Sequence, residues 1–376
     1  MNELPLMELS EGIVLFHPNI PKNAVAAVTE VLNSRWIGQG PVVDSFELKY
    51  AEKFQFPGTC LAVGSGTDAL HLAYLLAGIE KDDEVIVPVF TCTATNIPFL
   101  YMGAKIVFAD IDKNLNIDVK HVERLITPKT KAIVCVHYGG LPCDMDELWA
   151  LGKKHNIKII EDAAHAIGAK YKGKFIGAVS DYTMFSFQAI KHITTGDGGM
   201  VVVKNSEEVA KAKRLRWFGI DRSSKQQGIW ENDITDVGYK YQMTDISASL
   251  GVAALEEFDD HLAHRQNIYK LYCELLKGID GIRIIGGEYV DREHAAWLLT
   301  AEVDKRERLM EHLRNHKIES SQVHYRNDRY TIFGGRQTGK FPAMDAMEER
   351  YLVLPLHAKV TENDVHHIAN VLRKGW

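Results

Sequence analysis

The sequence KIIEDAAHA occupies residues 158–166, and the interpretation of the fold starts from it. Its apolar run leads directly into two adjacent carboxylates, Glu161 and Asp162, which small residues follow. An apolar run without polar alternation is typical of a strand buried on both faces of a mostly parallel sheet. Ligands of open α/β sheets bind at the carboxyl ends of such strands. The stretch therefore predicts both a central strand and a candidate binding edge.

Similar apolar runs recur on both sides of this stretch and alternate with helical patterns. After Gly66, for example, Ala69, Leu72, Ala73 and Leu76 follow one another at helical spacing. Strands that alternate with helices predict βαβ units and a doubly wound α/β sheet. The predicted strands are Glu84–Val89, Lys105–Ala109, Ala132–Val136, Lys158–Glu161, Thr183–Phe187 and Met200–Val203.

The rest of the chain predicts a helical entry and a smaller C-terminal domain. Helices are predicted at Lys22–Leu32 and Asp44–Phe54, before the sheet, and one long helix is predicted from Thr244 to Leu276. The C-terminal part mixes strand and helix patterns, and its polar segment 326–341 predicts a loop. The expected division is a large α/β domain over residues 1–250 and a small α+β domain over residues 251–376.

Composition excludes several classes of protein. The 44 Lys and Arg residues against 50 Asp and Glu residues give a net charge of −6, which disfavours nucleic-acid binding because phosphate backbones demand clustered positive charge. The five cysteines are spread along the chain without a CxxC pair, so we expect no disulfide framework, no metal site and a reducing, cytoplasmic location. No apolar run approaches the length of about 18 residues that spans a membrane, and the acidic N-terminus lacks the basic start of a secretory signal.

The sequence GSGTDAL, residues 64–70, follows an apolar run and opens a predicted helix. Small residues let backbone N–H groups approach an anion, and a helix N-terminus adds a favourable dipole. Ser65 and Thr67 add hydroxyl donors, so phosphate is a natural ligand. Taken alone, a helix cap without a ligand is the simpler explanation. The glycine fingerprints of dinucleotide and Walker-type sites are both missing.

Lys191 follows another apolar run and precedes a Gly-rich turn. Partial burial would lower its pKa and expose the free amine as a nucleophile, although most such lysines are ordinary surface residues. For Glu161 and Asp162, solvated or helix-capping carboxylates are an equally good explanation. Pyridoxal phosphate accounts for all three segments, because it needs a lysine for covalent attachment, an acid opposite its ring nitrogen and a phosphate cup. Lys191, Asp162 and the turn at Ser65–Thr67 with Ser186 supply one of each.

In these motifs and their order, the chain resembles the DegT/StrS family of sugar aminotransferases, which are pyridoxal-phosphate enzymes of the aspartate-aminotransferase fold. The resemblance covers nearly the whole chain. It implies a fold-type I transferase, with a mostly parallel seven-stranded central sheet and a smaller C-terminal α+β domain. Beyond the motifs above, the matching segments are 36–47, 83–88, 196–199, 238–245 and 354–357.

The resemblance also implies roles for the candidate site residues. Lys191 would bind the cofactor covalently, and Asp162 would pair with its ring nitrogen. Gly66, Thr67 and Ser186 would hold its phosphate. Relatives of this type are homodimers whose active sites use residues from both subunits.

Three positions depart from the family pattern. His165 stands where relatives usually carry Gln near the ring hydroxyl of the cofactor, and a histidine can still donate a hydrogen bond there. Cys92 stands where relatives stack an aromatic ring over the cofactor, so either its sulfur or another side chain must cover the ring. Lys240 stands where relatives carry an amide side chain that reaches the cofactor phosphate of the partner subunit. Lys240 could bind that phosphate as a cation, or its side chain could point to solvent.

The implied reaction transfers an amino group from L-glutamate to a keto or aldehydo sugar. The sugar is nucleotide-linked in most relatives, and the product would feed a surface polysaccharide or lipopolysaccharide. His324, Tyr325 and Arg326 lie where relatives line the substrate mouth; they could bind phosphate or carboxylate, or form a solvated loop.

Other functions stay open at this point. A dehydratase branch of the family carries His in place of the lysine, so Lys191 favours transamination. A non-catalytic regulator could share the fold, but it would not need to retain the lysine, the acid and the serine. A nucleotide-binding oxidoreductase is disfavoured by the missing glycine fingerprint.

Overall fold

A seven-stranded sheet forms the centre of the structure, a computed structural model that describes residues 6–222, 224, 228–229, 231, 233–287 and 289–376. Its strands are β1 (Thr59–Val63), β2 (Glu84–Pro88), β4 (Lys105–Ala109), β5 (Thr130–Val136), β6 (Lys158–Asp162), β9 (Tyr182–Ser186) and β10 (Gly199–Val203). They lie in the order β1-β10-β9-β6-β5-β2-β4. The pairs from β9 to β4 are parallel, whereas β10 runs antiparallel to both β9 and β1.

This arrangement confirms the mostly parallel α/β sheet predicted from the sequence. Every residue of β9 and β10 is buried, because apolar layers cover both faces of the sheet. The predicted strands agree with the observed ones within one or two residues at each end. A further strand, β1, adds an edge next to β10 and leads into the small-residue turn at residues 64–66.

Helices pack around this sheet. In the described part of the chain they are α1 (Ala24–Leu32), α2 (Pro41–Lys53), α3 (Gly66–Leu76), α4 (Ile97–Met102), α5 (Val119–Leu125), α6 (Met145–His155), α7 (Val209–Leu215), α8 (Asp245–Glu256), α9 (Phe258–Leu276), α10 (Arg306–Asn315), α11 (Pro342–Met347) and α12 (Glu362–Arg373). None of them combines the length and the apolar character that crossing a membrane would require.

The C-terminal part contains a second, smaller sheet. Strands β11 (Ile282–Ile284), β13 (Leu299–Val303) and β15 (Tyr351–Leu354) form it in the order β11-β13-β15. Its apolar core draws on α9, α10 and α12. The division of the chain at residue 250 stays a prediction; α8, which spans that position, contributes Ala248 and Ala254 to the core of the central sheet.

Two expectations about the C-terminal part were wrong in detail. The predicted helix from Thr244 to Leu276 is interrupted at Glu257, whose φ and ψ of −100° and 3° are not helical. The segment 326–341 is not a simple loop: it begins in β14 (Tyr325–Arg326), which pairs with β3 (Phe90–Thr91), and continues through short helical turns. The remaining strands, β7 (Lys170–Tyr171), β8 (Lys174–Phe175) and β12 (Arg292–Glu293), form a small separate sheet.

Candidate active site

The predicted site residues meet at the carboxyl ends of two neighbouring strands. Asp162 is the last residue of β6, and Ser186 is the last residue of β9. Beyond β9 the chain turns tightly, and the amide of Lys191 donates to the carbonyl of Gln188 at 2.9 Å. Because β6 and β9 are parallel neighbours, this turn lies beside the acid.

The turn between β1 and α3 packs against the end of β9. Ser65 caps α3, and its Oγ accepts a hydrogen bond from the amide of Asp68 at 3.0 Å. A Cβ added to Gly66 would lie 3.0 Å from the Cβ of Ser186, so the two residues already touch. The helix N-terminus, its first-turn Thr67 and the Ser186 hydroxyl thus form a small polar cradle suited to an anion.

Asp162 is a buried carboxyl with two neutral hydrogen-bond donors. Its Oδ2 accepts from Thr95 Oγ1 at 2.8 Å, and its Oδ1 accepts from the amide of Ala164 at 3.1 Å. Burial raises the pKa of Asp162, while the Thr95 hydrogen bond acts in the opposite direction. Such a carboxyl is suited to sharing a proton with a cationic ring nitrogen. The sequence interpretation did not identify Thr95, which lies six residues beyond the predicted strand Glu84–Val89 and in no glycine motif.

Lys191 places its amine in a water-poor environment. Its Nζ lies 3.5 Å from the centroid of the Trp297 ring. Burial lowers the pKa of Lys191 to about 7, although Cys92 and Asp162 act to raise it. A substantial fraction of this amine is therefore neutral and nucleophilic near pH 7. Trp297 belongs to the C-terminal part of the chain and was not identified from the sequence.

His165 stacks between two rings at the edge of the site. Its ring lies 3.8 Å from the Trp297 centroid and 5.2 Å from the His324 centroid. The amide of Gly139 donates to His165 Nδ1 at 3.3 Å, and Nε2 meets His324 Nε2 at 3.3 Å. Burial lowers the pKa of His324 to about 3 and that of His165 below its ordinary value, so both rings are neutral at pH 7.

The expectation for Arg326 was wrong. Its side chain is fully buried and is held by three carboxylates, so it cannot serve a substrate. Asp328 accepts two of its hydrogen bonds at 2.6 and 2.8 Å. The guanidinium is thus held by carboxylates of this chain, a role that the sequence alone could not reveal because two of the partners come from another segment. The preceding residues, His324 and Tyr325, stay half-buried, and His324 faces His165.

Two further predicted residues are Cys92, which acts to raise the pKa of Lys191, and Lys240. Cys92 is half-buried and begins the helical turn Thr93–Thr95 that carries Thr95 to Asp162. Lys240 is exposed, with its Nζ 5.3 Å from the centroid of the Phe218 ring. Their proposed roles toward a cofactor and toward a partner subunit stay predictions.

Comparison with known proteins shows the family to which the chain belongs. Residues 18–373 match the DegT/DnrJ/EryC1/StrS aminotransferase family. The chain belongs to this family. It is 35% identical to GDP-perosamine synthase from Escherichia coli O157:H7, over 96% of this chain and 98% of that protein. As a member of the family, the protein is a pyridoxal-phosphate-dependent aminotransferase of amino sugar biosynthesis, whose substrates are a sugar and an amino donor.

Solved structures agree with this assignment. The sugar aminotransferase CalS13 from Micromonospora echinospora superposes with a TM-score of 0.92 at 31% identity, covering 97% of this chain and 100% of that one. The PLP form of Spr1654 from Streptococcus pneumoniae superposes with a TM-score of 0.89 at 30% identity, covering 96% and 98%. The fold-type I architecture predicted from the sequence is thereby confirmed.

The residues of the site fit pyridoxal phosphate. Gly66 lets the start of α3 approach Ser186, where any side chain would crowd that residue, so the N–H groups of the helix N-terminus and the Ser186 hydroxyl can serve one phosphate group. Asp162 would supply the acid, and Lys191 would supply the amine.

A separate buried group, formed by Cys135, His137 and Cys143, brings its ligand atoms within 4.8 Å of one another. The absence of a metal site stays a prediction.

Proposed function

We propose that the protein transfers the amino group of L-glutamate to a keto or aldehydo sugar that carries a nucleoside diphosphate. The observation that carries this proposal is the Lys191 amine, which lies over the Trp297 ring and whose pKa Asp162 acts to raise, at the carboxyl ends of β6 and β9. A GDP-linked sugar in the name of the E. coli relative supports the nucleotide linkage. The product would be an amino sugar for a surface polysaccharide or lipopolysaccharide.

When bound, pyridoxal phosphate supplies an electron sink for the carbon that bears the amino group. Asp162 would hold a proton at the ring nitrogen, and Thr95 fixes the orientation of its carboxylate. The Lys191 amine would hold the cofactor and, when it is free, would take up and return the proton that the transfer requires. Gly66, Thr67 and Ser186 bind the phosphate.

Around these groups, the aromatic residues exclude water. Trp297 and His165 stack closely beside the Lys191 amine and restrict the space in which a substrate carbon can approach. We assign the adjacent His324 and Tyr325 to the substrate mouth, where the neutral His324 ring can exchange hydrogen bonds with sugar hydroxyls.

The proposed enzyme is a homodimer with shared active sites. Large apolar side chains are exposed at Trp36, Ile37, Phe218 and Val237. Arg222 donates a hydrogen bond to the Gln39 carbonyl, and the Phe218 ring lies under Lys240. These contacts of the segment 217–222 place the exposed apolar side chains on one side of the molecule. A second copy that covers this surface would bring Lys240 to the partner's phosphate. The five free cysteines support a reducing, cytoplasmic location.

The half-reaction with L-glutamate tests the proposed function. The purified protein is loaded with pyridoxal phosphate, and its visible absorption is recorded before and after the addition of L-glutamate. We expect a yellow band that glutamate abolishes, with an equimolar release of 2-oxoglutarate. Lys191→Ala should give no such band, whereas Lys172→Ala, at an exposed lysine paired with Asp146, should behave as the unmodified protein.

A yellow band that persists with glutamate would contradict the assignment of the donor. Other amino donors and the dehydratase reaction of the family would then be the hypotheses to test. If no band formed at all, the cofactor assignment itself would fail. Nucleotide-linked keto sugars, offered to the glutamate-treated enzyme, then test the second half of the reaction by restoring the yellow band.

A further inference from the structure

The segment that carries Trp297 is backbone-strained and entirely buried. Ala296 has a φ of 53°, in the left-handed region that a side chain disfavours, and it has no exposed surface. An alanine in this conformation costs roughly 1–2 kcal/mol, so neighbouring groups must hold it there. Strain of this kind is typical of functional sites. Here it falls on the residue just before the indole that contacts Lys191.

Arg265 is the group that holds this segment. Its guanidinium, on α9, is only 3% exposed, and it donates to the carbonyl of Ala296 at 2.9 Å and to that of Trp297 at 2.7 Å. A third bond, also 2.7 Å, goes to the carbonyl of Leu356. Among the described residues, no carboxylate forms an ion pair with Arg265 within 4.0 Å. Burial of a charge without a counter-ion is costly, so these three charge-assisted bonds must offset it.

Two further hydrogen bonds tie the segment to both neighbours of Lys191. Trp297 Nε1 donates to the carbonyl of Ile190 at 3.1 Å. His192 Nε2 bonds to the carbonyl of Ala295 at 2.7 Å. Hydrogen bonds from Arg265 thus hold the backbone of Trp297, and the bond from the indole nitrogen to the Ile190 carbonyl holds its ring next to Lys191.

We propose that Arg265 is a positioning residue that holds Trp297 over the Lys191 amine and keeps water away from it. The inference deepens the proposed function, because it concerns the same amine, and it rests on that function only for the use of the amine in catalysis. Trp297 covers the Lys191 amine, with the Nζ atom 3.5 Å from the centroid of its ring. The left-handed backbone conformation of Ala296 directs the Trp297 indole toward the Lys191 amine.

Two opposing effects act on the amine, and their magnitudes decide the outcome. A cation–π contact with Trp297 favours the charged amine. Burial disfavours it more strongly, because it lowers the pKa of Lys191 to about 7 despite this contact. Loss of the cover should therefore raise the pKa of Lys191. The charged and titratable groups that face Lys191 are Cys92, Asp162, His165, His192, Arg265 and His324.

The test measures Lys191 directly in the cofactor-free full-length protein. Its rate of reaction with acetic anhydride is followed by mass spectrometry across a pH series, which gives the midpoint of its titration. Trp297→Ala should move the midpoint upward by about one pH unit or more, whereas Trp297→Phe, which keeps an aromatic cover, should move it little. Circular dichroism verifies that each variant is folded.

Substitutions of Arg265 separate positioning from charge. Arg265→Lys keeps the charge but loses the forked geometry, so we expect an upward shift of about one unit, as for Arg265→Gln. Arg306→Lys is the matched control, since Arg306 is equally buried on α10 but bonds to Glu348 and Glu349, and it should leave the midpoint unchanged.

An unchanged midpoint in Trp297→Ala would overturn the proposal. So would a shift in Arg265→Gln without one in Arg265→Lys, because the charge alone would then explain it. If Arg265→Lys does not fold, Arg265→Gln is measured in the Trp297→Ala background: the proposal expects no further shift there, whereas a shift that adds to that of Trp297→Ala would come from the Arg265 charge and would refute it. The assay uses neither glutamate nor a sugar. A failed half-reaction with shifted midpoints would therefore refute the proposed function and leave this inference standing.

Discussion

Asp162 is a buried carboxyl whose pKa is affected by the hydroxyl of Thr95. Thr95 donates to its Oδ2, and Thr91 Oγ1 lies 2.9 Å from the Thr95 hydroxyl on the other side. The bond stabilises the charged carboxylate and so opposes the effect of burial on its pKa. Without it, Asp162 would hold its own proton more tightly and pair less well with a cationic ring nitrogen.

Thr95→Val should therefore weaken the binding of pyridoxal phosphate and slow the glutamate half-reaction. Because hydrogen bonds to charged groups contribute about 1.5–3 kcal/mol, we expect a loss of about tenfold or more in kcat/KM. Thr183→Val is the matched control, since this buried threonine donates to Glu161 instead, and it should change kcat/KM less than threefold (roughly 0.6 kcal/mol). Equal losses in the two variants would contradict the role of Thr95.

At the level of elements, the junction of α3 with β9 defines the phosphate cradle. Gly66 touches Ser186, so a methyl group at this position must push the start of α3 away from the strand. Gly66→Ala should lower the affinity for pyridoxal phosphate at least about tenfold, since the amides at the helix N-terminus would no longer point at the phosphate. Equilibrium titration of the cofactor measures this. Gly287→Ala, where a Cβ meets open space, should leave the affinity unchanged.

The second element-level feature is the anchor at β14. Arg326 joins this short strand to Asp328 and, across the chain, to Asp345 and Glu348. Arg326→Met should lower the free energy of unfolding by about 3–5 kcal/mol, because buried carboxylates would lose their counter-ion. Arg336→Met, which removes a half-exposed partner of the same Glu348, should cost about 1 kcal/mol or less. Urea denaturation of both variants decides; equal losses would contradict the buried anchor.

For the whole molecule, buried histidines predict a loss of stability in mild acid. Burial lowers the folded-state pKa of five histidines from 6.5 to about 3 or about 4. Below pH 6.5 these histidines bind protons in the unfolded chain but stay neutral in the folded chain. Their contribution to the free energy of unfolding is therefore complete above pH 6.5 and is lost as the pH falls toward the folded-state pKa values. The five are His71, His261, His294, His324 and His357.

Each of these histidines should remove about 1 kcal/mol of stability between about pH 6.5 and about pH 5.5. Urea denaturation at a series of pH values measures the sum. His357→Gln, at a ring that bonds to the Val14 carbonyl, should recover one such increment, and the exposed His155→Gln should recover none. A stability that stays constant down to pH 5 would contradict the burial of these rings in neutral form.

Local sequence determined the central sheet and the main chemical groups of this protein. Buried parallel strands need unbroken apolar runs, and their polar ends follow directly, so Asp162 and Lys191 could be placed at one edge from sequence alone. The small-residue turn at Gly66 was visible for the same reason. The family resemblance then added the cofactor and the reaction, of which the comparisons confirmed pyridoxal phosphate and amino transfer to a sugar.

Only the tertiary structure decided what surrounds these groups. Trp297, Arg265 and Thr95 contact the site from segments tens of residues away from Lys191 or Asp162, and no local pattern marks such long-range contacts. The same limit explains Arg326, whose polar segment resembled a loop until its carboxylate partners were brought together in the interior. From the type of a residue and its place along a strand or helix, the sequence indicates which residues are chemically able to react. The packing of distant segments decides which of them are buried, neutral and positioned to do so.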